Sequence, residues 1–237
     1  MDGGARYAIY FAPVDKDPLW RFGCETLGYD AAAGVPCRLK PPDGFSEDEW
    51  RASTQAPRLY GFHATLKAPF HLAQGCDEAA LLEAFRRFGE RQASVDLAGL
   101  EASALGHFVA LVPRGRADGL QELAEAAVRS FEPFRAPLSA DDLARRLEAL
   151  LSPAQERLLR LWGYPYVLDE FRFHMTLTGA LQARDLDRAR DALAQGYSTA
   201  TGDGGLAIEQ VALFRQPSRA EPFRLVARTP LAGTRSP

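Results

Sequence analysis

The chain has 237 residues, enough for one large or two small domains. With 46% hydrophobic and 25% charged residues, it cannot be a disordered, collagenous or coiled-coil chain. Twenty-eight basic against 31 acidic side chains leave a net charge of −3, so no general positive field exists to hold a long nucleic acid, while a small anionic ligand stays open. Cys24, Cys37 and Cys76 form no C-x-x-C pair, which is neither a disulfide framework nor a zinc spacing. The acidic start, with its short apolar run, does not read as a signal peptide, and no run of about 18 apolar residues occurs. The expectation is a cytoplasmic, monomeric protein that neither spans nor contacts a membrane.

Residues 6–13 (RYAIYFAP) are β-branched and aromatic and end at proline, the pattern of a strand with Tyr7, Ile9 and Phe11 on one face and Ala8 and Tyr10 on the other. Residues 15–27 read as a helix behind Asp15 and Asp17, and 28–44 as an irregular Gly/Pro-rich loop anchored by Val35 and Leu39. A short helix over 46–56 carries Ser46 and Glu49 at capping-box spacing and is expected to end at Pro57. From 58 to 72 (RLYGFHATLKAPFHL) the apolar Phe62, Ala64 and Leu66 alternate with His63, Thr65 and Lys67, a period of two that predicts a strand.

Helical spacing returns over 77–92, followed by a strand pair over 95–113 that turns at Gly106. Further helices are predicted over 119–131 and 139–164, the latter capped by Ser139 and broken at Ser152–Pro153. Residues 171–181 (FRFHMTLTGAL) alternate again, with Arg172, His174, Thr176 and Thr178 on the polar face. A helix over 185–195 and a β pair over 206–227 close the chain, and the small polar tail 232–237 is expected to fray. Both strand pairs have connections too short for parallel crossovers, which argues an α+β fold with antiparallel sheets. No glycine-rich phosphate loop, dinucleotide fingerprint or nucleophile elbow is present.

One pattern repeats. Phe62-His63-Ala64-Thr65-Leu66 and Phe173-His174-Met175-Thr176-Leu177 share F-H-x-T-L at an offset of 174 − 63 = 111 residues, and each copy precedes a helix and a strand pair. A duplicated unit explains this, and pseudo-symmetric halves bring the two motifs face to face. On a strand, positions i and i+2 point the same way, so each H-x-T sets an imidazole beside a hydroxyl. Two imidazoles supply a base and an acid in one turnover near neutral pH. Lys67, on the face of His63 and Thr65, is a candidate to offset phosphate charge. A single H-x-T is ordinarily just a polar strand face, and the repeat is what reverses that reading. His71 and His107 have no such partner and are taken as surface residues. Metal binding is the rival use of two histidines, but the motif strands offer no carboxylate at i+2 or i+4 to complete a ligand set.

The paired motifs resemble the 2H phosphoesterase superfamily. The wording of residues 6–13, 58–70 and 162–179 looks like its bacterial branch associated with phosphonate metabolism, over nearly the whole chain. The resemblance implies one bilobal domain over 1–237, with two antiparallel sheets related by a pseudo-two-fold axis, a central cleft and helices outside. It also implies catalysis of cyclic phosphate hydrolysis without metal or cofactor. Residue by residue, the resemblance puts catalytic histidines at His63 and His174 and phosphate-binding threonines at Thr65 and Thr176. Strand-face reasoning adds Tyr10, Tyr60, Lys67 and Arg172 as binding candidates, with structural packing an equal reading for Tyr10. In that branch the substrate is a cyclic ribose phosphate formed after carbon–phosphorus bond cleavage. Two alternatives are a phosphodiesterase for 2′,3′-cyclic RNA ends, which needs a local basic patch such as Arg145–Arg146 or Arg157–Arg160, and a noncatalytic phosphate-ligand sensor.

Overall fold

The structure is a computed structural model describing residues 4–117, 119–202 and 204–232, so 233–237 of the tail lie outside the described residues. In chain order the strands are β1 (Arg6–Phe11), β2 (Tyr29–Asp30), β3 (Val35–Pro36), β4 (Ala64–His71), β5 (Val95–Leu97), β6 (Leu100–Leu105), β7 (Phe108–Pro113), β8 (Met175–Thr176), β9 (Leu206–Ile208), β10 (Gln210–Gln216) and β11 (Arg224–Pro230). The helices are α1 (Pro18–Leu27), α2 (Glu47–Ser53), α3 (Gln55–Arg58), α4 (Glu78–Gly89), α5 (Leu120–Ser130), α6 (Ala140–Leu147), α7 (Pro153–Trp162) and α8 (Ala183–Thr201).

Most helix starts follow local side-chain chemistry. Asp17, Asp77 and Ser139 each accept a hydrogen bond from a first-turn N–H, and Ser46–Glu49 and Ser152–Gln155 form full capping boxes. Pro153 stands at the start of α7, where its missing N–H leaves nothing unpaired. Elsewhere the chain departs from its local pattern. The loop 28–44 carries the small β2–β3 ladder, and Leu39 is buried while Val35 is half exposed. Pro57 does not end the preceding helix. That helix stops at Thr54, whose hydroxyl donates to Trp50 O, and Pro57 sits inside the one-turn α3, where first-turn N–H groups have no helical partner to lose. Residues 95–113 hold three strands rather than two.

The expected strand over 171–181 shrinks to Met175–Thr176, because Thr178 Oγ1 takes the N–H of Val109 out of the ladder while Leu177 and Thr178 both donate to Val109 O. Strand β4 begins at Ala64, six residues later than its alternation suggested, since Arg58 closes α3 and Gly61 turns the chain at φ +73°.

The main sheet is antiparallel in the order β11-β10-β1-β4-β8-β7-β6. Its halves, β11-β10-β1-β4 and β8-β7-β6, meet at the pair Ala64–Met175, so the two expected sheets are joined edge to edge into one of seven strands. Ala64 and Met175 are separated by the 111-residue offset that relates the two H-x-T motifs. Strands β5 and β9 pair about Asp96–Ala207, again that offset apart. A pseudo-two-fold axis thus passes between both pairs.

The halves also exchange parts. The β6–β7 hairpin that follows the first motif extends the sheet from β8, and the β10–β11 hairpin that follows the second is joined to β4 through β1. Helix α4 correspondingly packs on β10 and β11, and α8 on β6 and β7. Phe62, Ala64, Leu66, Phe173, Met175 and Leu177 all enter the main core, which frees the alternate positions to face a cavity.

Candidate active site

Where the motif strands meet, a cavity of about 520 Å³ opens with His63, Thr65, His174 and Thr176 in its wall. The two imidazoles are held alike: Nδ1 of His63 donates to Gly61 O at 2.9 Å, and Nδ1 of His174 to Arg172 O at 2.8 Å. A carbonyl can only accept, so in the neutral form each ring carries its proton on Nδ1 and offers the Nε2 lone pair. Thr65 Oγ1 lies 3.2 Å from His63 Nε2 and donates to it, which places hydroxyl and proton acceptor at one point, as strand spacing anticipates.

The histidines differ in their surroundings. The ring of Tyr10 stacks on His63 with centroids 3.6 Å apart, a result of a register that sets Tyr10 opposite Thr65. Burial then lowers the His63 pKa to about 4, against the pull of the Gly61 carbonyl, and a charge on His174 works in the same direction as burial. Tyr10 is itself fully buried, its hydroxyl has no hydrogen-bond partner, and burial raises its pKa well above the ordinary phenol value.

Of the other binding candidates, Tyr60 lines the cavity, stacked on Phe223 with centroids 5.5 Å apart. Lys67 is a correction. Its ammonium is buried and donates to Val128 O at 3.0 Å and Glu132 Oε2 at 2.6 Å, while Arg135 holds the other Glu132 oxygen. It is tied to α5 and the turn after it, and is absent from the histidine cavity. Arg172 does not line that cavity: its carbonyl fixes His174, and its exposed side chain lines a neighbouring hollow shared with Thr65, Tyr166, Phe171 and His174.

Four arginines that the motif reading did not assign to the cavity line it: Arg6 from β1, Arg145 and Arg146 from α6, and Arg219 from the β10–β11 loop. Arg145–Arg146 was visible as a basic pair. Arg6 and Arg219 carry no local signal, because only the fold brings such distant segments together. Among the described residues, no three His, Cys, Asp or Glu side chains converge as a metal site, and no helix is long and apolar enough to cross a membrane.

These features define an α+β protein of two repeated halves with a two-histidine cleft between them. A family model described as a protein of unknown function, DUF1045, matches residues 65–224, and the chain belongs to that family. It is 38% identical over 231 residues to a protein of Janthinobacterium sp. (strain Marseille) named ribose 1,5-bisphosphate phosphokinase PhnN, covering 96% of this chain and 51% of that protein. A protein of the same name from Laribacter hongkongensis (strain HLHK9) is 37% identical over 222 residues, covering 93% and 50%. The chain thus spans about half the length of these curated relatives. Among solved structures it is similar to E. coli LigT complexed with 3′-AMP, at a TM-score of 0.47 and 16% identity over 97% of this chain and 99% of that one. Kluyveromyces marxianus Usb1 gives a TM-score of 0.39 at 12% identity over 97% and 99%.

Proposed function

We propose that this protein is a phosphodiesterase of the 2H type that hydrolyses a small cyclic phosphodiester, a cyclic ribose phosphate of phosphonate catabolism. The observation that carries this reading is the convergence of two H-x-T pairs in one cavity, with both imidazoles presenting Nε2. Water attacks phosphorus as Nε2 of neutral His63 takes its proton. The ring P–O bond breaks, the departing alkoxide takes a proton from the His174 imidazolium, and a phosphomonoester with a free hydroxyl remains. The desolvation of His63 supports it as the base, since a desolvated imidazole resists charge before the step, and His174 delivers the proton. Thr65 and Thr176 donate to the phosphoryl oxygens as charge builds there. Relatives named for a kinase of ribose 1,5-bisphosphate make a ribose phosphate the reasonable ligand class, and the net charge of −3 favours a small substrate over long RNA.

The test is incubation of EDTA-treated protein with a panel of cyclic phosphates, including a 2′,3′-cyclic RNA end, read by ³¹P NMR. Conversion of a cyclic sugar phosphate to a monoester, undiminished by chelator, is expected. A chelator-abolished rate restored by zinc or manganese would overturn the two-histidine mechanism.

A further inference from the structure

We infer that Tyr10 has a second task beside its stack on His63: its hydroxyl receives a free ring hydroxyl of the substrate, so that the site selects a sugar and not merely a cyclic phosphodiester. This rests on the hydrolase reading for the reacting group, though not for the contact itself. Tyr10 forms part of the wall of the histidine cavity, and its phenol oxygen is fully buried without a hydrogen-bond partner. Nearly all buried hydroxyls in folded proteins are paired, so an orphan in the wall of a cavity points to a partner that arrives with the ligand. Two further phenols, Tyr60 and Tyr164, line the same cavity and lie within electrostatic reach of Tyr10. Tyr60 is the most exposed of the three, stacked on Phe223, so the approach to Tyr10 runs past it.

The chemistry of the wall says what that partner is. An alcohol needs an acceptor as well as a donor, and the arginines of this cavity offer only donors. No described residue lining it is a carboxylate or a carboxamide. Thr178 Oγ1 already holds the N–H of Val109, and Thr65 and Thr176 serve the phosphoryl oxygens in the hydrolytic step. The phenols are the neutral groups left to accept. Burial raises the Tyr10 pKa well above the ordinary phenol value and so keeps its proton in place, and the hydroxyl can then donate and accept at once. A phosphoryl oxygen would use only the proton. Pseudo-symmetry also makes the contact one-sided, because Tyr10 pairs with Thr65 while the matching partner of Thr176 is Ala110. Two equal H-x-T pairs would hold a cyclic phosphate either way round, whereas a phenol on one side gives the sugar a single orientation.

The experiment compares a ribofuranose cyclic phosphate that keeps one free ring hydroxyl with its counterpart deoxygenated at that carbon. Wild type is expected to favour the hydroxyl compound by about 10- to 100-fold in kcat/KM, since the analogue leaves the site's own polar group unpaired. Tyr10→Phe keeps the ring and its stack, and should cut that preference below about threefold. A ratio does not respond to a general loss of active protein. Equal use of both compounds by wild type overturns the contact and leaves the hydrolase standing, and a preference retained in Tyr10→Phe overturns it as well. If neither compound is hydrolysed, the hydrolase reading fails, and both are titrated calorimetrically into wild type and Tyr10→Phe. At least tenfold tighter binding of the hydroxyl compound, in wild type alone, upholds the contact without the hydrolase. Any other binding pattern overturns it.

Discussion

The ring of Tyr10 lies nearly parallel to the imidazole of His63, 3.6 Å between centroids and 19° between planes. This contact shields one face of the imidazole from water, and a smaller side chain would let water in. Tyr10→Ala should therefore raise the His63 pKa from about 4 toward its ordinary value near 6.5, while Tyr10→Phe keeps it low. The C2 proton of His63, followed by NMR against pH, reads this directly. An unmoved titration in Tyr10→Ala would show that the stack contributes nothing to desolvation.

Activity against pH should be bell-shaped, with the acid limb set by His63. The rate falls as pH drops through the His63 pKa, about 4, because the base becomes protonated. It falls again on the alkaline side once the leaving alkoxide finds no proton donor. His63→Gln should lose about 10²–10⁴-fold in kcat together with the acid limb, and His174→Gln a similar factor in kcat. The double variant should be little worse than either single one, since the two act as a unit. Full pH profiles of kcat/KM for the three variants check this.

Stability carries the same signature. His63 has a folded-state pKa below its unfolded one, so between about pH 6.5 and 4 the unfolded chain binds more protons and stability falls as pH falls. Above that window the residue adds no pH dependence. Urea unfolding at pH 7 and pH 5 should show a smaller loss for His63→Gln than for wild type. An equal loss would locate the acid sensitivity in other groups.

Lys67 sets a contrasting expectation. Lys67→Met removes the donor to Val128 O and one partner of Glu132, but Arg135 still holds that carboxylate. A stability loss of roughly 1–3 kcal/mol is expected, with kcat within about twofold of wild type. Thermal melts and steady-state kinetics separate the two, and a kcat loss comparable to that of the histidine variants would return Lys67 to the catalytic cavity.

The H-x-T strands were legible because period-two alternation fixes a face and the repeat at 111 residues marks the face that matters. Lys67 shows where this stops: alternation places a side chain on a face but cannot say that α5 will cover that end of β4 and capture the ammonium. The arginine wall shows a second limit. Arg6 and Arg219 lie at opposite ends of the chain and meet through the β1–β10 pairing, a non-local event with no trace in either segment. The extent of β8 was likewise misjudged, because a single side chain, Thr178, competes with the backbone for Val109.

The exchange of hairpins has a consequence for how the molecule can come apart. Topologically the chain is a swapped dimer fused into one polypeptide, in which each copy lends its arm to the other. A chain cut between residues 114 and 119 yields two pieces, neither of which owns a complete half of the sheet. Such pieces should refold together and stay unfolded apart, as circular dichroism of each alone and of their mixture would show. The two histidines then share one fate, since β8 beside His174 is held between β4 and β7 of the first copy, and β1, which pairs with β4 beside His63, is held in turn by β10 of the second.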